Sequence, residues 1–273
     1  MIRLAVRCGP EIADRVLAEL VELAPSGVEE ERGADYVEYA IYGAPGELPG
    51  LGELEATVGN GLVEVASTEV PDDWADRWRD FHRPVLVGGR LWVRPSWEPA
   101  RRGAVDVVID PGHAFGTGAH PTTRLCLELL LELAGRGEAS GPLADWGTGS
   151  GVLAIAAAKL GWGPVVACDH EPSALEAAGS NAAANGVEVG LLPVNLREDR
   201  PPPARTVVAN LTAPILVELG RRIELTGGSE RLVCSGLLER EAPGVAAAFG
   251  RAGLAEVDRR HEGDWAALLL AAS

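Results

Sequence analysis

The run Asp145-Trp146-Gly147-Thr148-Gly149-Ser150-Gly151 sets three glycines at alternate positions, the first of them two residues after an acid. Glycine has no Cβ, so a loop of this kind lets the backbone come close to a bound ligand. The spacing is G-x-G-x-G and position 152 is Val, so the G-x-G-x-x-G pattern that seats a pyrophosphate on a helix N-terminus is absent. That argues against nicotinamide and flavin dinucleotides. An acid ahead of the first glycine suits a ligand carrying a cationic ammonium group, as S-adenosyl-L-methionine does, better than one with two phosphates. The plain alternative is a tight structural turn between strand and helix.

Three further features belong with this loop. Val165-Val166-Ala167-Cys168-Asp169 reads as a strand ending in an acid, 24 residues after Asp145. A carboxylate there can accept both hydroxyls of a ribose, although a strand-end Asp also serves as a helix N-cap. Thr206 to Ala213 reads as an apolar strand ending at Asn210, whose carbonyls can orient an amine at the sheet edge where open α/β sheets place their sites. Methyl transfer from a sulfonium needs a neutral amine lone pair in line with the methyl, so orientation and desolvation matter more than a strong base, and the proton can leave to solvent. Finally, Asp110-Pro-Gly-His-Ala-Phe115-Gly116-Thr117-Gly118-Ala-His120-Pro121-Thr122-Thr123-Arg124 combines small residues and hydroxyls ahead of a Pro-initiated helix, as suits a loop that folds over a ligand. Phe115 offers an aromatic face to an adenine or a sulfonium. His120 has no His or Cys partner at ligand spacing, so a hydrogen-bonding role is expected, and no metal site.

The elements that must carry these residues follow from periodicity. From about residue 105, strands at 105–109, up to 145, 165–169, 189–193, 206–211 and 231–235 alternate with helices at 121–133, 151–160, 172–185 and 214–225. Such alternation predicts a parallel, doubly wound sheet. Two last strands, 254–261 and 265–271, are separated only by Glu262-Gly263-Asp264 and should pair as a hairpin at the sheet edge. The front of the chain differs. Ile2–Cys8 and Tyr36–Tyr42 alternate as strands, 11–24 has helical spacing, 46–56 can hold a short helix, and 62–66 returns to strand, an order that resembles a small split βαβ unit. Between 71 and 104 lie Pro, Trp and Arg, read as a structured linker whose tryptophans pack the two domains together, with a ligand cage as the alternative.

Composition bounds the possible functions. The 273 residues, 47% hydrophobic and 23% charged, fit two globular domains with a buried core. Basic residues number 24 and acidic ones 40, a net charge of −16, which repels nucleic acid phosphates and makes direct nucleic-acid binding a poor fit. Residues 1–70 alone hold 14 acids against 4 bases, a net of −10. Of the basic residues only Lys159 is a lysine. The cysteines, Cys8, Cys126, Cys168 and Cys234, are far apart and read as buried thiols, not as a zinc site or a disulfide framework. No signal peptide or apolar run of membrane-spanning length is found, so a cytoplasmic protein with no membrane association is expected.

Together these residues resemble the bacterial methyltransferases of large-subunit ribosomal protein eleven, the PrmA family. The resemblance runs from about Asp73 to the C-terminus. It includes the D-W-x-x-x-W pattern of Asp73, Trp74 and Trp78, the segment 110–123, Asp145 to Ala154, and Pro172, Ala174, Leu175, Asn181, Asn185 and Gly186. It continues through Ala209-Asn210-Leu211 and Ser235-Gly236. The glycine loop and Asp169 are general to class I methyltransferases, whereas Phe115-Gly-Thr-Gly-x-His-Pro-Thr-Thr is far more specific. Two positions depart from the pattern: His113 stands in place of an apolar residue, and Trp146 in place of something smaller.

The resemblance implies an S-adenosylmethionine-dependent protein N-methyltransferase acting on lysine and N-terminal amines of that ribosomal protein. The expected architecture is a Rossmann-like seven-stranded methyltransferase domain over 105–273, a linker over 71–104, and a small ferredoxin-like α+β substrate-recognition domain over 1–70. It places cofactor contacts on Thr123, Gly147, Asp169 and Asn210, with Phe115 and His120 nearby. The full expected cofactor set is Phe115, Thr117, His120, Thr123, Asp145, Gly147, Gly149, Gly151, Asp169 and Asn210, with Asn210 also positioning the reacting amine. The acidic front domain suits a basic ribosomal protein as partner, and a monomer is expected. Competing readings are a methyltransferase for another protein or a small amine, a non-catalytic cofactor-binding module, and a dinucleotide oxidoreductase.

Overall fold

A computed structural model describes residues 2–13, 16–17, 20, 28–33, 35–43, 63–69, 83–110, 118–222 and 229–272. They fall into two compact units, one within the first 69 residues and one from residue 83 onward.

In the first unit, β1 (Ile2–Cys8) lies between β3 (Val37–Gly43) and β4 (Val63–Glu69), and β2 (Glu29–Arg32) adds to the outer edge of β3. All the pairs are antiparallel. The alternation visible in the sequence sends Leu4, Val6 and Cys8 of β1 and Val37, Tyr39 and Ile41 of β3 to one buried face, where Ala13, Val16 and Leu20 pack. Arg7 stands across from Glu38 and donates to its carboxylate at 2.8 and 3.0 Å. The order β2-β3-β1-β4 is that of a ferredoxin-like sheet. Strand β2 is an addition to the sequence reading: its Glu-Glu-Glu-Arg has no apolar alternation, and charge is how an exposed edge strand resists pairing with other chains. The expected helix at 46–56 and most of that at 11–24 lie outside the described residues.

The second unit is built on a seven-stranded sheet. Its strands are β8 (Leu143–Trp146), β9 (Val165–Asp169), β10 (Gly190–Pro193), β11 (Thr206–Asn210), β12 (Arg231–Leu238), β13 (Leu254–Glu262) and β14 (Trp265–Ala272). Their order is β10-β9-β8-β11-β12-β14-β13, with β8 to β12 parallel and β14 antiparallel to both neighbours. This is the Rossmann-like sheet closed by an edge hairpin that the alternation of strands and helices led us to expect. Helices α1 (Pro121–Gly135), α2 (Val152–Leu160) and α3 (Pro172–Asn185) contribute to one core, with Leu143, Val165, Ala167, Val208 and Val233 from the strands. Helices α4 (Ala213–Arg222) and α5 (Ala242–Gly250) cover the other face over Ala144, Trp146, Cys168, Val207, Ala209 and Leu232. Alternate residues of each strand thus feed opposite cores, which is why these strands read as continuous apolar runs.

Two features differ from the expectation. Residues 105–109 do not open the parallel sheet. Strand β7 (Val105–Val108) belongs to a separate three-stranded sheet, parallel to β6 (Leu91–Arg94), which pairs antiparallel with β5 (Val85–Val87). Residues 85–94, within the stretch read as linker, therefore form one sheet with β7 inside the second unit, β6 pairing with it and β5 with β6. Trp92 there donates to the Pro99 carbonyl at 3.1 Å and lies under the Arg101 guanidinium, while Trp74 and Trp78 lie outside the described residues. A strand's own pattern reports burial, not which sheet it joins. The second difference is α5, which the sequence reading passed over.

Candidate active site

Strands β8, β9 and β11 end level with one another: Trp146 is in register with Cys168 on one side and Ala209 on the other. The chain leaves β8 for β9 on one side, while β11 lies on the other. The carboxyl ends of β8 and β11 are therefore the topological switch point, where open α/β sheets bind ligands. Asp145, Asp169 and Asn210 sit at or next to these ends.

The glycine loop is a tight turn tied to β9. Gly147 and Thr148 donate their N–H groups to the Cys168 carbonyl at 2.9 and 3.0 Å, and Gly151 closes the turn on the Thr148 carbonyl at 2.9 Å. Gly147 has φ +73° and Gly151 φ +84°, conformations that disfavour a side chain. A Cβ on Gly147 would stand 2.4 Å from Leu211 Cδ2, and one on Gly151 3.1 Å from Ala178 on α3. These two glycines are thus required by the turn and by helix packing, whatever binds above them.

Asp145 is fully buried beneath the loop. Its Oδ2 accepts the Thr148 hydroxyl at 2.7 Å and the Ala154 N–H at 3.2 Å, while Oδ1 is buried without a partner among the described residues. Burial pushes its carboxyl up to about 7; the bonds from Thr148 and Ala154 oppose this, and nearby Asp169 adds to it. Trp146, the unusual neighbour, points to the opposite face of β8. It is buried with Leu196 and Ala204 and donates Nε1–H to the Pro202 carbonyl at 3.0 Å, so its bulk fills the α4–α5 side of the sheet.

Asp169 faces the loop itself. Its Oδ2 accepts the Gly149 N–H at 3.0 Å and its Oδ1 the Glu171 N–H at 3.1 Å. The N-cap of α3 is Glu171, so Asp169 does not take that position. Each carboxylate oxygen retains acceptor capacity beyond its one N–H. Across the switch point, half-buried Asn210 donates Nδ2–H to the Oγ1 of buried Thr123 on α1 at 3.2 Å, which leaves its carbonyl oxygen as an acceptor. The next residue, Leu211, donates its N–H to the Ser235 carbonyl at 3.0 Å, and Gly236 must be a glycine because its Cβ would lie 2.4 Å from the Leu211 carbonyl oxygen. His120 is the N-cap of α1: its Nδ1 lies 2.8 Å from Thr122 Oγ1 and its ring meets Trp265 edge-on at 5.0 Å. Phe115, Thr117 and His113 lie outside the described residues.

This geometry belongs to a chain with recognisable relatives. The chain matches the ribosomal protein L11 methyltransferase (PrmA) family over residues 50–272. It belongs to that family. A ribosomal protein L11 methyltransferase of Azotobacter vinelandii is 44% identical over 205 residues, 73% of this chain and 68% of the relative. One from Pelotomaculum thermopropionicum is 43% identical over 229 residues, 80% of this chain and 73% of the relative. Among solved structures, the ribosomal protein L11 methylase of Lactobacillus delbrueckii subsp. bulgaricus superposes with a TM-score of 0.61 at 28% identity, covering 70% of this chain and 98% of that one.

For a member of the PrmA family the site brings Asp145, Gly147, Gly149, Gly151 and Asp169 together, and Asn210 with Thr123. Two residues of the local machinery were not singled out as site residues. Thr148 holds Asp145, and the buried Asn181 donates Nδ2–H to the Ser150 carbonyl at 2.9 Å. Among the described residues no group of three His, Cys, Asp or Glu side chains is gathered to hold a metal. No described helix is long and apolar enough to cross a membrane. The four cysteines are free and buried, and burial pushes the Cys168 and Cys234 thiols up to about 12, which keeps them unreactive.

Proposed function

We propose that this chain is an S-adenosylmethionine-dependent N-methyltransferase of ribosomal protein L11, acting on lysine and N-terminal amines. The observation that carries the reading is the pairing at the switch point: Asp169 held on the Gly149 N–H and, across β8, Asn210 held on Thr123. The residues fit this cofactor. Asp169 has the acceptors for two ribose hydroxyls, and Asp145 has a buried oxygen with no donor among the described residues, which suits a ligand that brings a cation to this loop.

Bound there, S-adenosylmethionine would supply an electrophilic methyl group on a sulfonium. The chain's own part is orientation. Thr123 fixes the Asn210 amide so that its carbonyl oxygen accepts a hydrogen of the incoming amine, aiming the nitrogen lone pair. A lysine must arrive or become neutral before it reacts, and its surplus proton passes to solvent, so no dedicated strong base is needed. Phe115, Thr117 and His120 complete the cofactor set in this reading, as do Gly147, Gly149 and Gly151 of the loop. The first unit is the substrate-recognition domain: the acidity of residues 1–70 attracts a basic ribosomal protein and repels RNA. The protein works as a cytoplasmic monomer. Calorimetric titration with S-adenosylmethionine and with NADH, followed by incubation with labelled methyl donor and purified ribosomal proteins, tests the reading. Binding of the first ligand alone and label in L11 support it; tight NADH binding or label in a different protein would redirect it.

A further inference from the structure

Strand β7 pairs with β6 through its odd-numbered residues: Val105 N–H donates to the Arg90 carbonyl and Ile109 N–H to the Arg94 carbonyl, both at 2.8 Å. The even-numbered residues therefore face an edge with no strand beside it among the described residues. Side chains from two helices occupy that edge. Lys159 of α2 donates to the Asp106 carbonyl at 2.6 Å. Asn185 of α3 accepts the Val108 N–H at 2.9 Å and donates to the Val108 carbonyl at 2.6 Å, as a neighbouring strand would. Asn181, one turn earlier on α3, accepts the Asp110 N–H at 3.1 Å.

Asn181 differs from the other two in what its second group does. Its Nδ2–H reaches the Ser150 carbonyl inside the glycine loop at 2.9 Å, and the side chain is buried. One amide thus joins the glycine loop to Asp110, just past the end of β7. Asp110 is braced from the other side, its Oδ1 accepting the Ser96 N–H at 2.9 Å. We infer that Asn181 is a positioning residue for cofactor binding, which sets the separation between the glycine loop and Asp110 beyond the end of β7. Asn185, whose Nδ2–H also reaches the Asn181 backbone carbonyl at 2.8 Å, and Lys159 hold the strand edge with no side-chain bond to the glycine loop. The inference rests on the reading of the glycine loop as the S-adenosylmethionine site.

The test compares Asn181→Leu with Asn185→Leu by calorimetric titration with S-adenosylmethionine, thermal melting, and steady-state kinetics on L11. Both variants lose side-chain hydrogen bonds to the backbone and both should melt earlier. Only Asn181→Leu should weaken cofactor binding, by about tenfold, with KM for the cofactor rising and kcat at saturation little changed. Should that variant fail to fold, Asn181→Asp keeps the acceptor for Asp110 and loses the donor for Ser150, and the same rise in Kd is expected. A wild-type Kd in the folded Asn181 variants, or an equal loss in Asn185→Leu, overturns the inference alone. Wild-type protein that fails to bind S-adenosylmethionine overturns the cofactor reading and the inference with it.

Discussion

Replacing Asp145 with asparagine removes a buried charge whose cost depends on pH. In the folded protein burial raises this carboxyl from its ordinary 3.8 to about 7. Between those values the native state holds a proton that the unfolded chain has released. The stabilisation linked to that proton is complete below about pH 4 and is lost as pH rises through about 7. A displacement of about 3 pH units, at about 1.4 kcal/mol each, corresponds to roughly 4 kcal/mol between the two ends. The asparagine amide does not titrate, so the stability difference between variant and wild type isolates this one group from the protein's many other acids. The assay is urea unfolding of both proteins at intervals from pH 4 to pH 8.5. Wild type should lose stability relative to Asp145→Asn by a few kcal/mol across that range, with most of the loss complete by about pH 8. Parallel curves would refute the assignment of a buried, unpaired Asp145. Saturating S-adenosylmethionine should reduce the difference above pH 7 if its ammonium is the missing partner of Oδ1.

Other substitutions separate the parts of the site. Asp169→Ala removes the acceptors assigned to the ribose and should weaken S-adenosylmethionine binding by about 100-fold in calorimetry, from two bonds to a charged group at roughly 1.5 kcal/mol each. Thr123→Val keeps the shape of the side chain and deletes the acceptor for Asn210, so kcat on L11 should fall by about tenfold while the melting temperature changes little. Gly147→Ala forces a Cβ into the left-handed region against Leu211 and should cost roughly 1 to 2 kcal/mol in denaturant unfolding, even with no cofactor present.

The seven-stranded sheet was legible because its strands and helices alternate in clean blocks, and the acids and amide at strand ends marked the switch point. What escaped the sequence reading did so for identifiable reasons. Strand β2 carries three glutamates on an edge, where burial imposes no alternation. Helix α5, Ala-Pro-Gly-Val-Ala-Ala-Ala-Phe-Gly, is short and rich in Ala and Gly, so it has no helical stripe of large residues; Val245 and Phe249, one turn apart, are its buried anchors. The pairing of β7 with β6 leaves an outer edge that side chains from α2 and α3 close, a tertiary fact. The placement of Trp146 is legible in the sequence, since period-two alternation puts it on the face opposite Asp145 and so away from the loop acid. Asn181 and Asn185 stood four residues apart on a predicted helix, yet nothing in the spacing reveals that both face a strand edge.

The central claim is that the loop at the ends of β8, β9 and β11 binds the methyl donor while Asn210 delivers an amine of L11 to it. Mass spectrometry of intact L11 after incubation with this protein and S-adenosylmethionine, with peptide mapping of the modified residues, tests it most directly. Added methyl groups on lysine or N-terminal nitrogen, absent when Asn210→Ala or Asp169→Ala replaces the wild type, are the predicted result. Unmodified L11 in the presence of wild-type protein with bound cofactor would contradict the substrate, and methylation undiminished in both variants would contradict the site.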